Sequence, residues 1–197
     1  MKTLPYSLDE AEGGIGENAM ETVLNDLVTA NRILAREKVL DGFGHVSARH
    51  PLKPDRYFIS RSRSPALVER ADLVELGVDD KPVADGPVDL YAERVIHSAI
   101  YRARPDIMSV CHNHAASVVA FCIAGVDIVP VCHLGAVIGD RVPMWDSRDE
   151  FGDTDMLVRT VEQADSLAAV LADNWVVAMR RHGATVAGRS VRELVFR

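Results

Sequence analysis

Two histidines separated by one residue carry the clearest chemical signal in this sequence. His112 and His114 end the apolar run 107–114, which follows the helix-terminating segment Arg104-Pro105-Asp106. The run predicts a β-strand, and alternate side chains of a strand point to the same face. Two imidazoles on one face form half of a metal site, although paired strand histidines can also simply be hydrogen-bonded. Zn²⁺ and related divalent ions bind imidazole nitrogen and carboxylate oxygen.

Further metal ligands must come from elsewhere in the chain. The candidates are His182, in the turn Arg181-His182-Gly183, and Glu93, on a predicted helix. A catalytic metal site of this kind leaves one position open for substrate. The simpler alternatives are a hydrogen-bonded turn histidine and a solvated helix carboxylate. His97 follows Glu93 by one helical turn, and it either supports the metal ligands from behind or only packs.

The segment Ser60-Arg61-Ser62-Arg63-Ser64-Pro65 is too polar for a core and rich in cationic donors. Guanidinium forks and hydroxyls are suited to binding an anion such as a carboxylate. The alternative is a charged, solvated loop. His133, between Cys132 and Leu134, is either a core or a pocket residue, and we favour the pocket.

The bulk composition narrows the class of protein. A net charge of −7 and the lack of any Lys/Arg run argue against a nucleic-acid surface. With 48% hydrophobic and 26% charged residues, the composition is that of a globular protein. Its three cysteines are odd in number and lie in apolar runs, which favours reduced thiols in the cytoplasm. The sequence contains no apolar run of membrane length, so we expect no membrane association.

The elements that position these residues follow from periodicity and from turn residues. We expect a flexible lead-in over residues 1–16, then a single domain over residues 17–197 whose C-terminal helix is cut short at Arg197. Irregular alternation of helices and strands favours an α+β or layered α/β/α fold with a largely antiparallel sheet. The predicted helices span 17–38, 88–104, 115–124, 156–172 and the residues after Ser190, and the predicted strands lie near 43–49, 56–60, 107–114, 129–131, 142–145, 175–179 and 184–186.

Taken in order, several motifs resemble the class II aldolase/adducin family over nearly the whole chain. The resemblance implies an α/β/α sandwich around an antiparallel sheet, and a homotetramer with active sites at subunit interfaces. It also implies one divalent metal, Zn²⁺ or Mn²⁺ among others, on His112, His114 and His182, with Glu93 as the acid/base residue and a candidate fourth ligand. The matching segments are Gly44-His45-Val46-Ser47, Ala92-Glu93-Arg94-Val95-Ile96-His97, Arg104-Pro105-Asp106, Val110-Cys111-His112-Asn113-His114 and Arg181-His182-Gly183-Ala184.

Departures from the sugar-phosphate aldolases of this family indicate another branch. Those aldolases hold phosphate with a Gly-Asn-x-Ser turn, a Thr-x-Ser-Gly-like turn and a Ser-Ser pair before the glutamate. Here His45 replaces the asparagine, residues 60–65 replace the second turn, and Leu90-Tyr91 replaces the pair. These larger cationic or aromatic groups suit a flat carboxylate, so the chain resembles the family's decarboxylases. Those act on hydroxylated aromatic or hydroxypyridine dicarboxylates, or on carboxylated hydroxymuconic semialdehydes, in aromatic catabolism.

The resemblance assigns roles that remain predictions. Glu93 is the candidate proton carrier, and His45 either donates a proton or holds a carboxylate. The first alternative is a metal-dependent retro-aldolase acting on a hydroxy-acid or sugar-type substrate. The second is a non-catalytic, adducin-like interaction domain, which the complete ligand set argues against. The predicted substrate-binding residues are Ser47, Ser60, Arg61, Arg63, Tyr91 and His133.

Overall fold

A seven-stranded sheet forms the middle layer of this computed structural model, which describes the backbone of residues 8–197 and the side chains of residues 16 and 18–197. The strand order is β3-β2-β1-β4-β7-β6-β5, and each neighbouring pair is antiparallel except β5 and β6. The sheet is therefore mainly antiparallel, which confirms the predicted fold class. The strands are β1 (His45–Arg49), β2 (Arg56–Ser60), β3 (Leu73–Gly77), β4 (Ser109–Asn113), β5 (Met144–Trp145), β6 (Val176–Met179) and β7 (Gly183–Gly188).

Helices cover both faces of the sheet because alternate strand residues are apolar on each side. On one face, α1 and α6 pack over Val46 and Cys111, and α3 packs beside them. On the other face, α2 and α5 pack over Val110, so the core has two apolar layers. The helices are α1 (Leu8–Arg36), α2 (Val95–Ala103), α3 (Ala116–Ala124), α4 (Arg148–Phe151), α5 (Val161–Leu171) and α6 (Val191–Phe196).

Three helix starts differ from the predictions. The helix predicted from residue 88 begins as α2 at Val95, directly after the 3₁₀ turn Ala92–Arg94. The helix α1 includes residues 8–16, which we predicted as lead-in, whereas residues 1–7 lie outside the described residues. The helix predicted from residue 156 begins instead at Val161. Thr160 caps it, because the Thr160 hydroxyl accepts the Gln163 N–H and the Gln163 side chain accepts the Thr160 N–H. Residues 156–158 are thereby left outside the helix, and Val158 is buried in the core.

The strand predicted near residues 129–131 is wrong. Val131 is 91% exposed in a coil segment, and Pro130 lacks the N–H that a strand pairing needs. In the 142–145 region only Met144–Trp145 forms a strand. Strand β3 was not predicted, because Glu75 interrupts its short apolar pattern. Within the described residues, no helix is long and apolar enough to cross a membrane.

Candidate active site and metal centre

The end of β4 presents His112 and His114 beside the neighbouring strands. His112 is paired with His45 of β1 on one side and with Thr185 of β7 on the other. Its side chain is fully buried, and its Nε2 lies 3.0 Å from Nε2 of His114. The strand thus brings the two imidazoles together at the carboxyl end of β4.

The tip of the β6–β7 hairpin supplies the third imidazole. Arg181 has φ +60°, a left-handed conformation that turns the chain, and its guanidinium binds the Asp146 carboxylate 2.9 Å away. This turn aims His182 at β4, and its Nε2 lies 3.1 Å from Nε2 of His114. Gly183 permits the approach, because any Cβ there would collide with the backbone carbonyl of Asn113.

Glu93 closes the group from a 3₁₀ turn, Ala92–Arg94, that leads directly into α2. Its Oε2 lies 3.4 Å from Nε2 of His112 and 3.5 Å from Nε2 of His182. Its Oε1 accepts the backbone N–H of Val158 at 2.9 Å, which fixes the orientation of the carboxylate. The positive end of a helix also favours a carboxylate at this position.

Nδ1 of each of the three histidines, which lies on the side of the ring away from the cluster, has its own acceptor. Nδ1 of His182 donates to the Met156 carbonyl at 2.8 Å, and Nδ1 of His114 donates to the Asp41 carboxylate at 3.1 Å. Nδ1 of His112 lies 3.3 Å from the Thr185 hydroxyl, whose own proton is directed at the sulfur of Met179. Carbonyl and carboxylate oxygens only accept, so the protons reside on Nδ1.

Three Nε2 lone pairs therefore converge on one point together with Glu93. The ligand atoms of these four residues all lie within 4.8 Å of one another. Ligands about 2.1 Å from a tetrahedral metal are about 3.4 Å apart, which is close to the separations of 3.0–3.5 Å measured here. Acceptors crowded this closely repel one another, and a cation between them would relieve that repulsion. The donor set fits a divalent metal.

Electrostatics in the cluster favour positive charge at its centre. Burial raises the pKa of Glu93, but the imidazoles of His112 and His182 outweigh it and hold that pKa far below its usual range. Burial lowers the pKa of His182, but hydrogen bonding to Glu93 outweighs it, and the net pKa is raised. A cation, either a proton or a metal ion, is thus stabilised beside Glu93.

A cavity of about 330 Å³ opens beside the cluster. Its walls are mostly apolar, and the His45 ring lies with its centroid 4.6 Å from that of Tyr91. Nδ1 of His45 faces away from the cavity, 2.7 Å from Nε2 of His97. His97 contacts no metal-ligand candidate by hydrogen bond within the described residues; it supports His45 instead. The cavity is lined by Phe43, His45, Tyr91, Ala92, Glu93, His114 and Leu157.

The other predicted substrate residues do not line this cavity. Arg61 and Arg63 both bind Asp72, at 2.7 and 3.1 Å, so a buried carboxylate already neutralises part of their charge. Ser60 is buried in β2, and Ser47 is buried behind His45, with its hydroxyl 2.6 Å from Nδ1 of His97. For Arg61, Arg63 and Ser47 the reason is a partner that sequence reasoning did not identify, whereas Ser60 is buried within the sheet.

His133 also lies outside the cavity, because it sits in the exposed segment that precedes the 3₁₀ turn Gly135–Ile138. Sequence reasoning missed Asp41, the acceptor for His114, and it missed the 156–158 segment. The Thr160–Gln163 pair was the available signal, since a Thr-x-x-Gln capping box marks a helix start.

Comparison with known proteins identifies the family of this chain. The model of the Class II Aldolase and Adducin N-terminal domain matches residues 25–197. The chain belongs to this family. Its relatives include the decarboxylase tropJ of Talaromyces stipitatus, which is 36% identical over 86% of this chain and 69% of its own length. The 3,4-dihydroxyphthalate decarboxylase of Arthrobacter keyseri is 30% identical over 86% of this chain and 71% of its own length.

Solved structures of class II aldolases have the same fold. The aldolase II superfamily protein of Pseudomonas syringae superimposes with a TM-score of 0.75 and 26% identity. The match covers 89% of this chain and 69% of that chain. The sandwich and its sheet are thus those of the class II aldolase family.

Proposed function

We propose that this protein is a metal-dependent, non-oxidative decarboxylase of a hydroxylated aromatic carboxylate, or of a ring-cleaved carboxy-hydroxymuconic semialdehyde. The observation that carries the proposal is the convergence of three Nε2 lone pairs and Glu93 beside a mostly apolar cavity. Two decarboxylases among the relatives support carboxy-lyase over aldehyde-lyase chemistry.

Loss of CO2 leaves an electron pair on carbon, and the substrate needs an electron sink. His112, His114 and His182 would hold a divalent metal, which would supply a Lewis acid for the charge that develops on the substrate's phenol or enol oxygen. The C–C bond to the carboxylate breaks, CO2 departs, and one proton must reach the carbon that carried it. Glu93 borders both the ligands and the cavity, and its low pKa means that it does not hold this proton in advance. It instead relays the proton from the substrate's hydroxyl to that carbon.

The cavity walls favour a planar substrate over a sugar. Phe43, Tyr91 and Leu157 present apolar or aromatic surface, and few hydrogen-bonding groups face the interior. A polyhydroxylated sugar would leave several hydroxyls unpaired there, whereas an aromatic ring would stack on Tyr91 and His45. Besides Glu93 and His114, the wall contains His45, which would hold a carboxylate of the substrate.

The experiment is a CO2-release assay on purified protein with elemental analysis of the same sample. The panel contains ortho-hydroxy aromatic dicarboxylates, carboxy-hydroxymuconic semialdehydes and non-phosphorylated aldol substrates. Metal-dependent CO2 release supports the proposal. Aldehyde release without CO2 would replace it with the retro-aldolase alternative. A protein with no metal affinity and no turnover would favour the alternative of a non-catalytic interaction domain.

We also propose a homotetramer. In support, large apolar side chains are exposed on α3 and in the segment after it. Unpaired apolar surface of this kind is typical of subunit contacts. Light scattering at several protein concentrations tests the proposal, and a monomer at all of them would contradict it. The exposed residues are Phe121, Ile123, Val126, Val129, Val131 and Leu134.

A further inference from the structure

A chain of hydrogen bonds runs from the cavity wall into the core behind it. Nδ1 of His45 lies 2.7 Å from Nε2 of His97, and Nδ1 of His97 lies 2.6 Å from the Ser47 hydroxyl. The Ser47 hydroxyl lies 2.7 Å from the hydroxyl of Tyr101. All four side chains are at most 2% exposed. At the cavity end, Nε2 of His45 has no hydrogen-bond partner among the described residues.

The hydrogen-bond chain ends in the core at the hydroxyl of Tyr101. Among the described residues, the Tyr101 hydroxyl has Ser47 as its side-chain hydrogen-bond partner, and Arg49 stacks on the face of its ring rather than reaching the oxygen. Burial raises the pKa of Tyr101, so the phenol keeps its proton. A buried hydroxyl proton without an acceptor costs about 1–3 kcal/mol. The phenol must therefore donate to Ser47.

The donor in each further hydrogen bond follows from the number of protons that each group carries. Ser47 accepts from Tyr101, so its own proton goes to Nδ1 of His97. Neutral imidazole has one N–H, so the proton of His97 is on Nε2 and goes to Nδ1 of His45. Each of these two contacts has room for one proton, so neither imidazole carries a second N–H toward its partner. The remaining proton of His45 is on Nε2.

We propose that Tyr101, Ser47 and His97 are positioning residues that fix the tautomer of His45, so that its Nε2–H points into the cavity and donates a hydrogen bond to a carboxylate of the substrate. The opposite direction leaves the Tyr101 proton buried without an acceptor. His45 is thereby a donor to the substrate and not a base. The identity of the acceptor rests on the proposed function, but the tautomer does not.

The closed end also separates the role of His45 from that of Glu93. If neutral His45 gave its Nε2 proton to carbon, the negative charge left behind would have to stay on the ring as imidazolate or pass along the hydrogen-bond chain to Tyr101 as a buried phenolate. Nothing at that end of the chain can resupply the proton. His45 therefore holds the carboxylate while Glu93 moves the proton, and the two alternatives left open by the sequence become distinct.

Nitrogen NMR tests the tautomer directly. The protein is labelled with ¹⁵N-histidine and loaded with Zn²⁺, a diamagnetic ion. Long-range ¹H–¹⁵N correlation spectra show which ring nitrogen carries the proton, and the signals lost in His45→Gln assign this residue. We expect His45 protonated on Nε2 and bare on Nδ1. Protonation of His45 on Nδ1 overturns the proposal without any substrate being needed.

Matched variants test the chain behind His45. In Ser47→Ala, Nδ1 of His97 has no partner in either tautomer, so we expect a mixture of His45 tautomers. The KM for the carboxylate substrate should rise on the order of tenfold, with a smaller change in kcat. The control is Tyr57→Phe, because Tyr57 is an equally buried neighbour whose hydroxyl binds Ser98, 2.9 Å away, outside the chain.

The outcomes separate the two proposals. A single unchanged tautomer and unchanged KM in Ser47→Ala would overturn the positioning role, and so would the same spectral change in Tyr57→Phe. If Ser47→Ala fails to fold, the wild-type spectrum still decides the tautomer. If the predicted tautomer is present but no substrate releases CO2, the hydrogen-bond chain stands and the proposed function fails.

Discussion

The metal-ligand histidines and the His45–His97 pair lie side by side, yet they are arranged in opposite ways. In the first group, each Nδ1 donates outward to an acceptor and each Nε2 lone pair points inward. In the pair, Nδ1 of His45 accepts a hydrogen bond from His97, and Nε2 of His45 carries the proton that points into the cavity. The centroids of the His45 and His112 rings are only 5.3 Å apart.

The difference shows that the partner of the far nitrogen decides what a histidine can do. An acceptor behind the ring makes a metal ligand, and a donor behind the ring makes a hydrogen-bond donor to the substrate. Burial and position in the sheet do not separate the two classes, because His45 and His112 are paired across β1 and β4 and are both buried.

The largest expected effect comes from removing a ligand. We expect His182→Ala to lose bound metal and to lower CO2 release by at least about 10³-fold, because one of the three imidazole ligands is lost. His97→Gln, from the other group, should retain one equivalent of metal per chain. Elemental analysis after dialysis measures both. Full metal content in His182→Ala would remove the distinction between the groups.

Replacing the acid/base residue should have the next largest effect. We expect Glu93→Gln to bind metal but to lower kcat by about 10²–10⁴-fold, because the amide cannot carry a proton. Steady-state assays and metal content are measured on one preparation. Turnover near that of the wild type would show that another group delivers the proton.

Removing an outward acceptor should weaken metal binding without abolishing it. Asp41→Asn keeps an oxygen for the N–H groups of Phe43 and Gly44 but loses the charge opposite His114. We expect metal affinity to fall about 10–100-fold, as measured by competition with a chromophoric chelator. Asp55→Asn, an exposed aspartate remote from the cavity, is the control with the same charge change. Equal affinities in the two variants would contradict the role of Asp41.

The smallest effect is on stability. Burial lowers the pKa of His97 to about 3, which is below the pKa of histidine in the unfolded chain. As the pH falls, the unfolded chain therefore binds a proton that the folded protein does not bind. Stability therefore falls as the pH falls below about 6.5. Between about pH 7.5 and 5.5, we expect the wild type to lose about 1.4 kcal/mol more than His97→Gln.

Chemical unfolding of the two metal-free proteins measures this difference. The metal-ligand histidines are common to both proteins, so their titration cancels in the comparison. An equal loss of stability in the two proteins would mean that His97 takes up a proton in the folded state.

Local rules and the family resemblance anticipated much of this molecule. Strand alternation places His112 and His114 on one face, and the mixed order of elements predicts the antiparallel sheet. The acceptors of the Nδ1 atoms could not be predicted. Asp41 and Met156 are far in sequence from their histidines, and only the strand register and the path of the loops bring them together. Asp72, which binds both arginines of the 60–65 segment, illustrates the same limit over a shorter distance.

The contact of Gly183 with β4 has a consequence for changing the metal. Because backbone meets backbone there, the spacing between β4 and β7 is set by the sheet rather than by an adjustable side chain. The distance from His182 to the β4 histidines therefore has little freedom to expand. A larger ion, or one that prefers more ligands, would have to be accommodated on the Glu93 side. Selection for a new metal should therefore change the Ala92–Arg94 turn more readily than the β6–β7 hairpin.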